Sequence, residues 1–586
     1  MTRSMMTALK AIMITVPLAI SSTSIIAEPL EIRVEMRDGT ELSTLVYLPD
    51  GDGPFPTLVA RTIYGPPIIP IGGELYDSSM KLTDFVPSED DDDDDAAITA
   101  GWPLITENGY ALVIQNTRGR NGSDGVDRSW RDDGEDGYDL IEWVNAQDWS
   151  NGRIGLFGDS AVGVSAALAA AEQPPALDAL FLQTTPADPF GTDMAPRDGA
   201  LRTESLLVQG GFLAFDVSES HIAGRGIDGE EVADLVPAIG GYVQGLFEGL
   251  EDPLNSDTWL AAPLGDVPEL DQLMPFWSML SDVSARETFR DETNALGKIE
   301  VPTSVVTLWQ DTFAQSTFDL FADLEERDIP RELLVVNGTH YDIDDPRIFP
   351  EPRMLSWFDH WLKDEPRADR PVVKAATQGN AEFVEGSEVI DIIGVAERYY
   401  IAEGELVQTA SESSNTFTSD PANPVPTQGG RYLLAASGAL DQTDLITRQD
   451  TLVFKAAALS ETRILAGPVT GQIVATSNAP SFDLSVRLLD VAPDGTASII
   501  LSDHLRIENE AKTPVTVPFD MSLIRHQLNA GHRVAIMVAG SDFPAWDRNP
   551  QTGASIFESA DLQAAEITVI SDANGQSYIE LPFVEN

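Results

Sequence analysis

Between Arg153 and Gly163 the chain reads Arg-Ile-Gly-Leu-Phe-Gly-Asp-Ser-Ala-Val-Gly, and residues 161–173 continue as a run of small side chains. The pattern is a short apolar strand, a tight turn and a helix, with Ser160 at the turn. Such an elbow pushes a serine hydroxyl out of a sheet at the start of a helix. Small neighbours are required because strand and helix backbones approach closely. The helix start offers free N–H groups and positive potential to a developing oxyanion. The spacing is Gly-x-Ser-x-x-Gly rather than Gly-x-Ser-x-Gly, so the turn alone also admits a glycine-rich junction with an incidental serine.

The surroundings decide between these. Leu30, Ile32, Val34 and Met36 alternate with polar residues, and Leu42, Thr44, Val46 and Leu48 continue as a second strand, with Asp38-Gly39 as a hairpin turn between them. Apolar runs at 56–62, 110–115, 153–157 and 179–183 read as buried parallel strands, and 136–147 as a helix with Tyr138, Ile141 and Val144 on one face. Strands return at 303–308 and 333–336, and 353–363 is an amphipathic closing helix. Alternating strands and helices imply an α/β fold over residues 28–186 and 300–366. The helical, acidic stretch 187–299, with helices expected at 230–250 and 270–290, is an insertion that caps the sheet. Residues 364–371 read as a linker. From 372 to 586 helical signals fade and short alternating strands (461–465, 472–475, 482–489, 498–502, 533–538) point to an all-β jelly roll.

There is no cysteine, which excludes disulfides, thiolate nucleophiles and Cys-ligated metals. Histidine-based catalysis must use His221, His340, His360, His504, His526 or His532. An α/β hydrolase needs its acid and then its histidine after later strands. The strand at 303–308 runs into Trp309-Gln310-Asp311, and the one at 333–336 into Asn337-Gly338-Thr339-His340. His340 is thus placed to take the proton of Ser160, with Asp311 orienting the imidazole. His360 lies on an amphipathic helix and reads as structural, whereas His221, in the cap, is within the region that touches substrate. One oxyanion donor is the backbone N–H of Ala161. No His-Gly-Gly motif supplies a second, but the strand from Pro56 ends in Arg61-Thr62-Ile63-Tyr64-Gly65, whose phenol is a candidate donor.

These pieces together resemble the cocaine esterase (CocE/NonD) family, which also includes α-amino-acid ester hydrolases, glutaryl acylases and X-Pro dipeptidyl-peptidases. The matching stretches are Arg61-Thr-Ile-Tyr64, Asn116-Thr-Arg118-Gly119-Arg120-Asn-Gly122-Ser123-Asp-Gly125, Asp136-Gly-Tyr-Asp-Leu-Ile-Glu-Trp143, Gln147-Asp-Trp-Ser-Asn-Gly152-Arg-Ile-Gly155, Trp309-Gln-Asp311 and Gly338-Thr-His340. In the β region, Gly467-Pro468-Val469, Ser481-Phe-Asp483 and Leu488-Leu-Asp490-Val491 are similar to that family's C-terminal jelly roll. The resemblance implies an α/β-hydrolase fold with a helical cap insertion, followed by an all-β jelly-roll domain. It implies Ser160 as nucleophile, Asp311 and His340 completing the triad, and the Tyr64 hydroxyl with the Ala161 amide as oxyanion hole. Members commonly carry tyrosine after the nucleophile, where this chain has Ala161, so the acyl pocket is expected to be roomier.

The implied reaction is hydrolysis of a carboxylic ester or activated amide, with no cofactor and no metal. α-Amino-acid ester hydrolases hold an ammonium group with a carboxylate cluster, whereas Thr312, Phe313, Ala314 and Gln315 follow Asp311 here. Asp193 is the acid that could come from elsewhere. Phe313 and Trp309 are candidate pocket residues, as are Phe276 and Trp277 of the cap, which would equally serve as cap core. An acylase or X-Pro dipeptidyl-peptidase-like exopeptidase keeps the same triad. A non-catalytic glycan- or partner-binding protein requires that the three residues not converge.

With 36 Lys+Arg against 95 Asp+Glu, the net charge of −59 makes nucleic acid and anionic membranes poor partners. Only seven of the basic residues are lysine. Adaptation to salt and acidic drift both produce this pattern. The run from Glu89 to Asp95 lacks the alternating ligands and glycine of a calcium loop and reads as a solvated loop. Residues 1–27, with Arg3, Lys10 and an apolar stretch broken by Pro17, read as a signal peptide cleaved after Ala27, the alternative being an uncleaved anchor. The expected location is the bacterial periplasm or medium, the partner a small ester or amide, with a homo-oligomer left open.

Overall fold

The computed structural model of the chain describes residues 29–65, 102–193, 199–207, 219–262 apart from 228 and 251, 264, 282–340, 342, 353–433 apart from 381, 437–509 and 513–585. The expected signal peptide, the 89–95 acidic run, Phe276 and Trp277 lie outside the described residues.

A ten-stranded mixed sheet forms the first unit. Its strands are β1 (Leu30–Glu35), β2 (Glu41–Tyr47), β3 (Phe55–Thr62), β4 (Ala111–Asn116), β5 (Ser150–Asp159), β6 (Leu177–Gln183), β7 (Thr303–Gln310), β8 (Arg331–Thr339), β9 (Val373–Ala376) and β10 (Phe383–Gly386). Their order is β1-β2-β4-β3-β5-β6-β7-β8-β9-β10. From β4 to β9 every pairing is parallel, while β1, β2 and β10 join antiparallel at the ends. All of β4 and all of β7 are buried, as expected for strands covered on both faces. The pleat sends neighbours to opposite sides: Leu58 and Ala60 join one apolar cluster, Val59 the other.

Helices α1 (Trp102–Glu107) and, near the end of the unit, α8 (Arg353–Lys363) cover one face; α2 (Asp133–Asn145), α3 (Ser160–Ala171) and α7 (Ala314–Glu326) cover the other. Helix α3 is buried without interruption from Ala161 to Ala170. Its small side chains let α2 come close: a Cβ on Gly137 would lie 2.3 Å from that of Ala169. Between β6 and β7 the cap contributes α4 (Glu219–Gly224), α5 (Gly229–Gly249) and α6 (Val283–Glu292).

The C-terminal unit is an all-β sandwich. One sheet runs β12-β11-β21-β15-β20-β13, with β18 also on β15, through β11 (Val395–Ile401), β12 (Leu406–Val407), β13 (Ser413–Ser419), β15 (Arg463–Ser477), β18 (Val515–Leu528), β20 (Ala565–Ser571) and β21 (Tyr578–Phe583). The other is β14-β19-β16-β17, built from β14 (Thr451–Lys455), β16 (Ser481–Val491), β17 (Ala497–Glu508) and β19 (Arg533–Ala539).

Two expectations are corrected. The β region does not begin a separate domain at 372: β9 pairs with β8 and carries β10, so the first sheet continues to Gly386. Residues 463–465 of the expected segment 461–465 and the whole of 472–475 belong to one strand, β15. Pro468, which lacks an N–H, sits where the β15–β18 register shifts, so the strand passes the proline as a bulge and continues.

Candidate active site

Three loops leave the C-terminal ends of β5, β7 and β8 and meet. Ser160 stands at the β5–α3 turn with φ 49°, the left-handed region. Glycine is needed on both sides for steric reasons. A Cβ on Gly158 would meet the Gly163 backbone N at 2.5 Å, and one on Gly163 would meet Thr185 Oγ1 at 1.9 Å. Gly163, three residues past Ser160, is therefore the glycine that this elbow packs against the end of β6, which accounts for the longer spacing.

His340 Nε2 lies 3.2 Å from Ser160 Oγ, and its Nδ1 lies 2.8 Å from Asp311 Oδ2. The ionised carboxylate only accepts, so Nδ1 carries the proton and Nε2 of the neutral ring is left to accept from the serine. Asp311 is fully buried and His340 is 8% exposed. The other carboxylate oxygen, Oδ1, takes the Phe313 N–H at 2.5 Å. Behind the histidine, Asp342 gathers both the N–H and the hydroxyl of Thr339. Gly338 has no room for a side chain, since a Cβ would meet Leu308 and Asp342 at 2.7 and 2.8 Å.

The amide of Ala161 sits in the first turn of α3, where N–H groups have no intrahelical partner. Tyr64 follows β3, half-buried, its backbone pinned by Thr62 Oγ1 on its own N–H and by Asn121 on the carbonyl of Ile63. The Arg118–Arg120 stretch is the architecture beneath this corner. Arg118 bridges Asp38 and Asp136, Arg120 binds Asp127, and Arg61 is buried against Asp133.

Other expected site residues fall elsewhere. Trp309 is 2% exposed and its indole N–H donates to the Ala376 carbonyl, so it is core rather than pocket wall. Phe313 is also 2% exposed and meets the His340 ring edge-on at 5.3 Å, where it braces the imidazole. Asp193 ends the π-helical turn Pro189–Asp193 after β6, and its side chain is outside the described residues. His221 does not face substrate: it is fully buried, its Nδ1 accepts the Asp127 N–H at 3.0 Å, and burial holds its pKa down at about 4.

One group was missed by the sequence reading. Asp159 accepts a hydrogen bond from Thr184 Oγ1 and has its pKa raised to about 6, first by burial, with the charge of His340 opposing. The signal was present as an acid inside an otherwise apolar elbow. A carboxyl that holds its proton more tightly folded than unfolded is a cost above pH 6 that fades as pH falls toward 4. Asp159→Asn keeps an acceptor for Thr184 and removes that cost. Its melting temperature should exceed wild type at pH 8 by about 2–4 °C, with the gap shrinking by pH 5. An equal gap at both pH values would assign the effect to packing instead.

A serine hydroxyl, a neutral imidazole and a buried carboxylate in line, at the mouth of a helix, form a serine hydrolase site on an α/β-hydrolase sheet. The chain belongs to the CocE/NonD family of such enzymes: the model of the X-Pro dipeptidyl-peptidase (S15 family) matches residues 38–342, and that of the X-Pro dipeptidyl-peptidase C-terminal non-catalytic domain matches residues 394–580. It is 26% identical over 571 residues to a cocaine esterase from Rhodococcus sp. (strain MB1 Bresler), covering 90% of this chain and 92% of that protein. Among solved structures, an α-amino acid ester hydrolase superposes with a TM-score of 0.74 at 22% identity, covering 97% of this chain and all of the other. An aminopeptidase from a marine sediment Thaumarchaeota archaeon gives 0.68 at 21% identity, covering 95% and 96%. Both of these likenesses bear on the fold.

Proposed function

We propose that this serine hydrolase is exported and cleaves a carboxylic ester through an acyl-enzyme on Ser160. The observation that carries the reading is the continuous relay Ser160–His340–Asp311. In the first half-reaction Ser160 Oγ attacks the carbonyl carbon and His340 Nε2 takes its proton. The oxyanion is held by the Ala161 N–H and the Tyr64 hydroxyl. Collapse breaks the ester C–O bond and His340 returns the proton to the leaving alcohol. Water then attacks the acyl carbon with His340 again as base, and the free acid departs. No step needs a metal or cofactor.

The alternative is an acylase or exopeptidase that binds a free amine; the match to the S15 peptidase model favours it. Short p-nitrophenyl esters should be assayed beside amino-acid p-nitroanilides, using protein recovered from the periplasm or medium, whose N-terminus is expected at Glu28. Ester turnover with inert anilides is expected, together with a fluorophosphonate adduct on the peptide containing Ser160. Anilide cleavage that depends on a free α-amine would replace the esterase reading with the exopeptidase one.

A further inference from the structure

The loop that carries Asp311 is gripped from the β-sandwich. The Trp309 carbonyl accepts from Arg431 Nε at 2.8 Å, and Gln310 Nε2 donates to the Ile500 carbonyl at 3.0 Å. Thr312 Oγ1 accepts from Arg202 Nη2 at 3.2 Å, and the same Arg202 nitrogen donates to the Arg431 carbonyl at 2.6 Å. Asp311 is thus bracketed by contacts at Trp309 and Thr312 that both lead to Arg431, through its guanidinium on one side and through Arg202 on its backbone carbonyl on the other.

Arg431 is itself fixed. Its Nη2 donates to the Leu523 carbonyl at 2.6 Å, and its guanidinium lies 5.8 Å from the Phe318 ring centre. It follows Gly429 and Gly430, which have φ of 74° and 111°. A Cβ on Gly429 would lie 2.6 Å from the Gly438 carbonyl. Gly438, bridged to Gly430, faces Thr339 next to His340: its own Cβ would stand 3.2 Å from Thr339 Cγ2. Arg202 lies over Tyr432 and Trp546, 5.7 Å from each ring centre. Trp546 stacks on His504, which binds the buried Asp483.

We propose that Arg431 is a positioning residue for the triad: it clamps the acid loop from the sandwich side and thereby sets Asp311 against His340 Nδ1. The sandwich is then part of the catalytic scaffold. A guanidinium suits this task because its planar fork serves two carbonyls at once, which the point charge of lysine does not.

The proposal rests on Asp311 being the triad acid, so Asp311→Asn is assayed in parallel with Arg431→Met, Arg431→Lys and Thr312→Val. The readouts are kcat, KM and the pH profile of kcat/KM on p-nitrophenyl butyrate. Misplacing the acid by a fraction of an ångström should lower kcat of Arg431→Met about 10- to 100-fold, with KM within about twofold. The acid limb should move to lower pH, because a worse-placed carboxylate stabilises the imidazolium less. Arg431→Lys should fall between. Folded Arg431→Met with wild-type kcat and pH profile overturns the proposal whatever its melting temperature. If Arg431→Met does not fold, Arg431→Lys, which keeps the charge and loses the fork on the Trp309 and Leu523 carbonyls, carries the test: a smaller shift in the same direction supports it and wild-type behaviour overturns it. Wild-type rates in Asp311→Asn would instead overturn the triad reading; an inactive Asp311→Asn beside unaffected Arg431 and Thr312 variants would sink the clamp alone.

Discussion

Ser160→Ala is expected to lower kcat about 10⁶-fold, the loss found when a nucleophilic serine is removed from a working relay, while the fold stays intact. The hydroxyl is the only atom removed, and it meets the structure chiefly through His340 Nε2 at 3.2 Å. What alanine retains is the Cβ, and with it the strain. At φ 49° an L-residue costs roughly 1–2 kcal/mol that glycine does not. Ser160→Gly should therefore be equally inactive but melt about 2–4 °C above Ser160→Ala. The pair separates two roles of one position. Chemistry is lost in both, and strain is released in one. Equal melting temperatures would mean that the elbow relaxes around alanine. Ester turnover within about tenfold of wild type in both variants would mean that another nucleophile acts.

Why the triad could be read from sequence, and the clamp could not, follows from distance along the chain. Ser160, Asp311 and His340 each end a strand of a parallel sheet, and parallel neighbours bring their C-terminal ends to one edge. Strand order and loop position are both visible as apolar runs followed by polar residues, so the meeting of the three was predictable. The glycines were legible for the same local reason: each stands where backbone or side chain leaves no space for a Cβ. By contrast, Arg431 lies in an irregular segment more than a hundred residues past Asp311, and nothing in its neighbours marks it as facing that loop.

Two of the expected pocket residues, Trp309 and Phe313, are buried. Trp309 lies within β7, a strand covered on both faces, so an aromatic there was bound for the core. Phe313 turns back against His340 because Asp311 Oδ1 captures its N–H and closes the loop. Strands β9 and β10 were missed because the Pro-rich, charged stretch before them looks like a domain boundary, yet the edge of β8 was still unpaired and Val373–Ala376 could fill it. His221 was misplaced because a polar residue in a cap suggests an open pocket. Its ring is instead spent on one backbone N–H of the loop that supports the Tyr64 corner.

The second large effect concerns the tautomer of His340. In Asp311→Asn the side chain keeps its shape and nearly its volume, so the Phe313 N–H can still be held by the amide oxygen. The other end of the amide is then an NH₂ facing Nδ1. A donor there requires Nδ1 to accept, which moves the ring proton to Nε2, where it points at Ser160 Oγ. The histidine becomes a donor toward the group whose proton it should take. A loss of about 10⁴ in kcat is expected from this inversion, with KM little changed. The buried Asp159 offers a nearby charge that could offset it, and it interacts with His340 through space while its Oδ1 is engaged with Thr184. Activity in Asp311→Asn should therefore climb with pH well above neutrality, where the serine proton is more readily lost without a base, and Asp159→Asn added on top should change the rate by less than about tenfold. If the single variant keeps more than about a tenth of wild-type kcat, the tautomer argument is wrong, and the 2.8 Å contact between Asp311 and His340 would be a structural bond with no part in proton transfer.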